Sequence, residues 1–149
     1  MYHILLQTHS ILRYLVLLML LIVIVRFVFA KISKRSYNNL DNRLSIFMIM
    51  SVHLQFVLGL ALYFISPIVK NARADWQTAM HDDILRFWAV EHVTLMVAAV
   101  ILITVGRIRS KSHGLRSEEK FRRAIIFYSI GFVLIIAGIP WERLFPSFQ

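Results

Sequence analysis

The chain contains six histidines and no cysteine, so imidazole is the side chain best suited to hold a transition metal. Three histidines interrupt long apolar runs. His9 lies in "LLQTHSILRYLVLLMLLIVIV", His53 in "IFMIMSVHLQFVLGLALYF", and His92 in "RFWAVEHVTLMVAAV". Arg13 follows His9 by four residues, which puts both on one face of a helix. Glu91 immediately precedes His92. Ionisable groups in hydrocarbon are costly, and they are functional candidates by default. Histidines on different helices of an apolar bundle can hold b-type haem non-covalently: neutral imidazoles approach the iron axially, and basic groups pair with the propionates.

Depth selects among the histidines. At about 1.5 Å of rise per residue, His92 lies roughly 6 Å deeper than His9. These two are the best-matched axial pair. His53 falls near the midplane and is the alternative ligand, offset from His92 by roughly 10 Å. Arg13 is then a propionate partner, and Glu91 a neighbouring group or proton site. Arg13 and Glu91 share one depth on different helices and can pair, which reduces the burial cost of each. His9, Arg13, Glu91 and His92 thus form a polar layer beneath the outer surface, capped by Trp141 and Glu142. Gln55, two residues from His53, points elsewhere. His3, His81 and His113 lie outside the apolar runs and read as solvated.

Other chemistries fit less well. Ser10 adjoins His9, but no paired acid completes a hydrolytic triad. His9, His92 and Glu91 suit zinc by type, yet no HExxH-like spacing supports such a site. A proton pore wants titratable groups at several depths, and His53 and Glu91 are few. The lack of cysteine excludes disulfides, thiolate metal sites, iron–sulfur clusters and covalent c-type haem.

The elements that position these residues are apolar helices. The 149 residues are 58% hydrophobic and 17% charged, with mean hydropathy +0.67; soluble domains run at about 45–50% and about 25%. Four apolar segments, about residues 4–29, 44–66, 84–106 and 124–141, approach or exceed the roughly 20 residues that cross a hydrocarbon core. They do not alternate as β-barrel strands do. Ser66-Pro67 closes the second, and Pro140 the fourth. The expected fold is a single all-α domain over residues 1–149, an integral membrane four-helix bundle. Asp75 is a plausible N-cap, and no obvious breaker follows it, so one helix over 75–107 is expected. Gly131 and Gly138, seven apart, mark either close helix packing, the commoner use of small residues, or a groove for a flat ring. Gly59 allows the same two readings.

Charge sets the orientation. The segment after the first span carries Arg26, Lys31, Lys34, Arg35 and Arg43 against Asp41. The segment after the third carries Arg107, Arg109, Lys111, Arg116, Lys120, Arg122 and Arg123 against Glu118 and Glu119. The loop between spans two and three is mixed. By the positive-inside rule the basic loops are cytoplasmic and both termini face the periplasm, across a bacterial inner membrane. The net charge of +9 is then a topology signal and needs no nucleic acid to explain it. The first span has no basic n-region and no small-residue cleavage site, as expected of an uncleaved span.

The stretches "LLQTHSILRYLVLLMLLI", "HLQFVLGLALYFISP", "LRFWAVEHVTLMVAAVILITVGRIRSK" and the closing "IPW" together resemble a family of small four-span membrane proteins, common in Bacteroidetes-type bacteria and generically labelled cytochrome B. The likeness runs over nearly the whole chain. His9, Ser10, Arg13, His53, Gln55, Glu91, His92 and Pro140-Trp141 fall at positions of that pattern. The resemblance implies a b-type cytochrome of the respiratory membrane. The leading expectation is a bilayer-embedded electron carrier holding haem b and exchanging electrons with a quinol or a redox membrane complex, as a homo- or hetero-oligomer or alone. Two alternatives stand beside it. One is a non-enzymatic accessory or assembly subunit whose polar layer fixes helix packing; the other is a small proton or solute pathway through Arg13, Glu91, His53 and His92.

Overall fold

The computed structural model describes residues 1–141, which are helical with short connections. Four long helices carry the fold: α1 (Tyr2–Ile32), α2 (Asn39–Ile65), α6 (His92–Ser110) and α7 (Ser117–Ala137). Between α2 and α6 run three short helices, α3 (Pro67–Ala74), α4 (Trp76–His81) and α5 (Asp83–Arg86), and then a π-helical turn over Phe87–Glu91. The long helices that pack side by side are α1 with α2, α2 with α6, α6 with α7, and α7 with α1. This order closes a square in which α1 and α6 stand diagonally across the core.

The stripe facing that core is legible along α1. Val16, Leu20, Val23, Phe27 and Ala30 are buried, and their spacing of three and four follows one helical face. They meet Met48 and Val52 of α2, Ala99 and Ile103 of α6, and Phe121, Ala124 and Tyr128 of α7. The opposite face of α1 exposes Leu18, Ile22, Val25, Phe29 and Ile32. An apolar outer surface of this kind suits lipid. By length and composition, Tyr2–Ile32, Asn39–Ile65 and Asp83–Ser110 can each cross a membrane. The fourth long helix, α7, begins with Glu118, Glu119, Lys120, Arg122 and Arg123, and its apolar part starts at Ala124.

Small residues let α6 and α7 approach closely, as glycines do in membrane bundles. A Cβ on Gly131 would stand 3.3 Å from the Ala99 carbonyl oxygen and closer still to Ile103, and one on Gly138 would run into Met96. The groove that these glycines leave is filled by α6.

Local signals explain most helix ends. Asn38 and Asp41 form a reciprocal capping box at the start of α2, with bonds of 3.0 and 2.9 Å. Ser66 is extended ahead of Pro67, as the residue before proline prefers, and ends α2. The segment after Asp75 departs from the single helix expected over 75–107. Asp75 does cap a helix, accepting from Thr78 N at 3.0 Å, but that helix stops at His81. Asp82 turns extended and caps the next helix, accepting from Leu85 N at 2.8 Å. A second N-cap breaks the run without glycine or proline.

Candidate functional site

The end of the bundle remote from the basic loops brings His9, Arg13, Gln55 and His92 together. Gln55 reaches from α2 to α1, where its amide nitrogen donates to the His9 carbonyl at 2.9 Å and lies 3.3 Å from His9 Nε2. With that nitrogen fixed by the carbonyl, His9 Nε2 acts as an acceptor, and the neutral ring carries its proton on Nδ1. The ring packs over Gly59, where an added Cβ would lie 2.9 Å from Cε1. Glycine here makes room for an imidazole.

Across the core, His92 opens α6. Its Nδ1 is 2.7 Å from the carbonyl oxygen of Gly138, just past the end of α7. A carbonyl only accepts, so Nδ1 carries the proton and Nε2 the lone pair, which has no partner among the described residues. An imidazole tied in this way through one nitrogen has the tautomer and orientation of a metal-ligating histidine. The rings of Trp88 and Phe87, with centroids 5.4 and 5.9 Å away, hold it from the side. The π turn supplies both aromatics and sets the direction in which His92 leaves the helix.

Arg13 and His92 both lie within electrostatic reach of His9, and Arg13 also acts on His92. The Arg13 guanidinium leans on Tyr14, 5.0 Å from the ring centroid, with Nη2 at 3.4 Å from the hydroxyl. Among the described residues, four buried side-chain polar atoms lack a hydrogen-bond partner. Three are in this layer: His9 Nδ1, Arg13 Nε and Gln55 Oε1. The fourth, the Tyr128 hydroxyl, is at the other end beside the hydroxyls of Ser45 and Ser110.

The remaining candidates go elsewhere. Glu91 does not pair with Arg13; it takes Arg86 Nε at 2.8 Å, and Arg86 also holds Asp83 at 2.7 Å. His53 sits 3.0 Å from Thr104 Oγ1, and that hydroxyl donates to the Val100 carbonyl at 2.7 Å. His53 Nε2 must therefore be the donor, and the ring ties α2 to α6. Thr104 is twelve residues beyond His92, about 18 Å along the helix, so His53 and His92 occupy different levels. Trp141 donates from Nε1 to Ile136 O at 3.0 Å and folds back on the end of α7. Glu142 lies outside the described residues.

The basic end holds a second polar cluster. Asp41 is fully buried and accepts from Arg26 Nε at 2.8 Å, from both terminal nitrogens of Arg35 at 3.0 and 2.9 Å, and from Asn38 N at 2.9 Å. The hydrogen bonds to Asp41 raise the pKa of Arg35 above its ordinary value. Arg107, nearly buried, donates to Asn42 and to the Tyr37 hydroxyl, while Tyr37 N donates to Ser117 Oγ at 3.0 Å. These contacts join both basic segments to the ends of α2, α6 and α7.

The layer around His9 and His92 thus offers two imidazoles on diagonal helices, one with its lone pair released, plus a buried guanidinium nitrogen without a partner. That donor set fits haem b: imidazoles for the iron and Arg13 for a carboxylate. Among the described residues no cluster of three His, Asp or Glu side chains could hold a bare metal ion. No family model, no curated protein and no solved structure matches the chain.

Proposed function

We propose that the chain is a membrane-embedded b-type cytochrome, in which His9 and His92 would hold the haem iron and Arg13 would pair with a propionate. The observation that carries this reading is the 2.7 Å bond from His92 Nδ1 to the Gly138 carbonyl, which leaves the lone pair on Nε2 of a ring within electrostatic reach of His9 and Arg13. Haem held by two imidazoles supplies one-electron exchange. The protein's own part is orientation and exclusion of water. Gly138 fixes the His92 tautomer, Phe87 and Trp88 hold its ring, and Gly59 leaves space for the His9 ring. Gln55 steadies α1 through the His9 carbonyl and can release the longer contact to Nε2 without losing the shorter one.

The accompanying topology has four spans, α7 with its continuation to Trp141 being the fourth. The basic loops face the cytoplasm, and the His9–His92 layer lies toward the periplasm of a bacterial inner membrane. Electrons would be exchanged with a quinol or a neighbouring redox subunit at that side. The test is a reduced-minus-oxidised visible spectrum of purified protein, with haem quantified per chain. A sharp b-type band at about one haem per chain, lost in His92→Ala and kept in His3→Ala, is expected. Colourless protein from haem-replete cells, or full haem in every single-histidine variant, overturns the reading.

A further inference from the structure

The basic end carries a feature that electron transfer does not use. A cavity of about 160 Å³ opens between the end of α1 and the start of α7, and Lys31, Lys34, Arg35, Ser117, Glu118 and Phe121 line it. Arg35 is committed to Asp41 and leans over the Phe121 ring at 5.7 Å. Lys31 and Lys34 are different: both are exposed, and neither side chain forms a hydrogen bond or ion pair among the described residues. Ser117 Oγ accepts from Tyr37 N, which leaves its own proton free to donate into the cavity. Glu118 is the one acid in the wall. Asp41 already balances one of its two arginine partners, so the cavity keeps a positive surplus.

Its surroundings identify the ligand. Leu17, Leu21, Ile24 and Val28 recur every three or four positions along α1 on the face that ends at Lys31; Leu21 is exposed and the other three are half-buried. A molecule with an anionic head and hydrocarbon tails matches both parts at once. Basic pockets at the ends of membrane helices bind anionic headgroups in this way.

We propose that this cavity binds the phosphate of an anionic phospholipid, with Lys31, Lys34 and Ser117 as its contacts and the acyl chains along the face of α1 that ends at Lys31. The site is independent of any haem. Each lysine strengthens binding severalfold, and losing both weakens it roughly 30-fold.

The experiment is a thermal-unfolding titration of the purified full chain in a neutral detergent. Phosphatidylglycerol, phosphatidylcholine and inorganic phosphate are the three probes. Phosphatidylglycerol is expected to raise Tm saturably, while the other two leave it nearly unchanged. In Lys31→Gln/Lys34→Gln the midpoint of that rise should move to roughly 30-fold higher lipid, and Lys31→Arg/Lys34→Arg should restore it. Glu118→Gln should tighten binding, a gain that a merely destabilised variant would not give. The proposal is overturned by an equal shift with phosphatidylcholine, by a double-glutamine variant that keeps the wild-type midpoint, or by inorganic phosphate alone reproducing the full shift.

Discussion

The two ends of the bundle solve the burial of polar groups in opposite ways. At the basic end, the Asp41 carboxylate is fully buried and receives two guanidinium groups and a backbone N–H, all within 3.0 Å. At the other end, His9 Nδ1, Arg13 Nε and Gln55 Oε1 are buried with no partner among the described residues. A buried polar group left unpaired costs about 1–3 kcal/mol, more when it is charged. The difference is that the Asp41 cluster is a joint that closes on its own residues, while the His9 layer leaves three polar atoms unpaired among the described residues.

The largest expected effect tests the joint. Asp41→Ala leaves Arg26 and Arg35 without their acid and removes the capping box of α2, so it should cost about 3–5 kcal/mol in a reversible detergent-denaturation experiment. Any haem spectrum measured under native conditions should keep its shape. A cost below 1 kcal/mol would mean that lipid or water replaces the carboxylate easily, and the contrast between the two ends would weaken.

Next in size is Gly59→Ala. The new Cβ would approach His9 Cε1 to 2.9 Å, so the ring or α2 must move. Overpacking of this kind costs about 1–3 kcal/mol. The displaced imidazole should also loosen haem, which haem per chain after purification would register. Full retention at wild-type stability would show that the His9 ring has room to shift.

The contrast was only partly legible in the residues. Long apolar runs identified the helices, and depth along them selected His9, Arg13 and His92 as one layer. Rotation about each helix axis is not written in spacing. The two-residue spacing points Gln55 away from His53, as observed, but carries no sign of its partner His9. Depth alone pairs Glu91 with Arg13. The π turn at Phe87–Glu91 adds a residue to the local winding, and Glu91 goes to Arg86 instead. The joint did have a signal. Asn38 and Asp41 stand three apart ahead of an apolar run, which is the spacing of a capping box. The break at Asp82 had a weaker one, since an aspartate inside a helical pattern can be a new N-cap as easily as a surface residue.

His53 and Thr104 give a smaller effect and sharpen the comparison from its middle. The bond ties α2 to α6 and is satisfied on both sides, through Val100 O. Single side-chain hydrogen bonds between membrane helices average about 0.6 kcal/mol in double-mutant cycles. A cycle of His53→Ala with Thr104→Val should return a coupling of that order, with haem content unchanged. Loss of haem in His53→Ala alone would move this histidine from the packing set into the site.

The smallest expected effect is the most diagnostic. Gln55→Leu removes one orphaned atom, Oε1, and two contacts to His9, of which the 2.9 Å bond goes to a backbone carbonyl. Relief of an unsatisfied buried group offsets the loss of a net contribution of about 1 kcal/mol, so stability should stay within about 0.5 kcal/mol of wild type. His9 Nε2, freed from the amide, becomes more available as a ligand, and haem should be held at least as well. Asp41→Ala and Gln55→Leu each delete a polar side chain that bridges α1 and α2, yet their expected costs differ several-fold. If Gln55→Leu proved as damaging as Asp41→Ala, the His9 layer would be a second structural joint. The unpaired atoms would then be the residue of an imperfect fit between helices, with no cofactor needed to complete them.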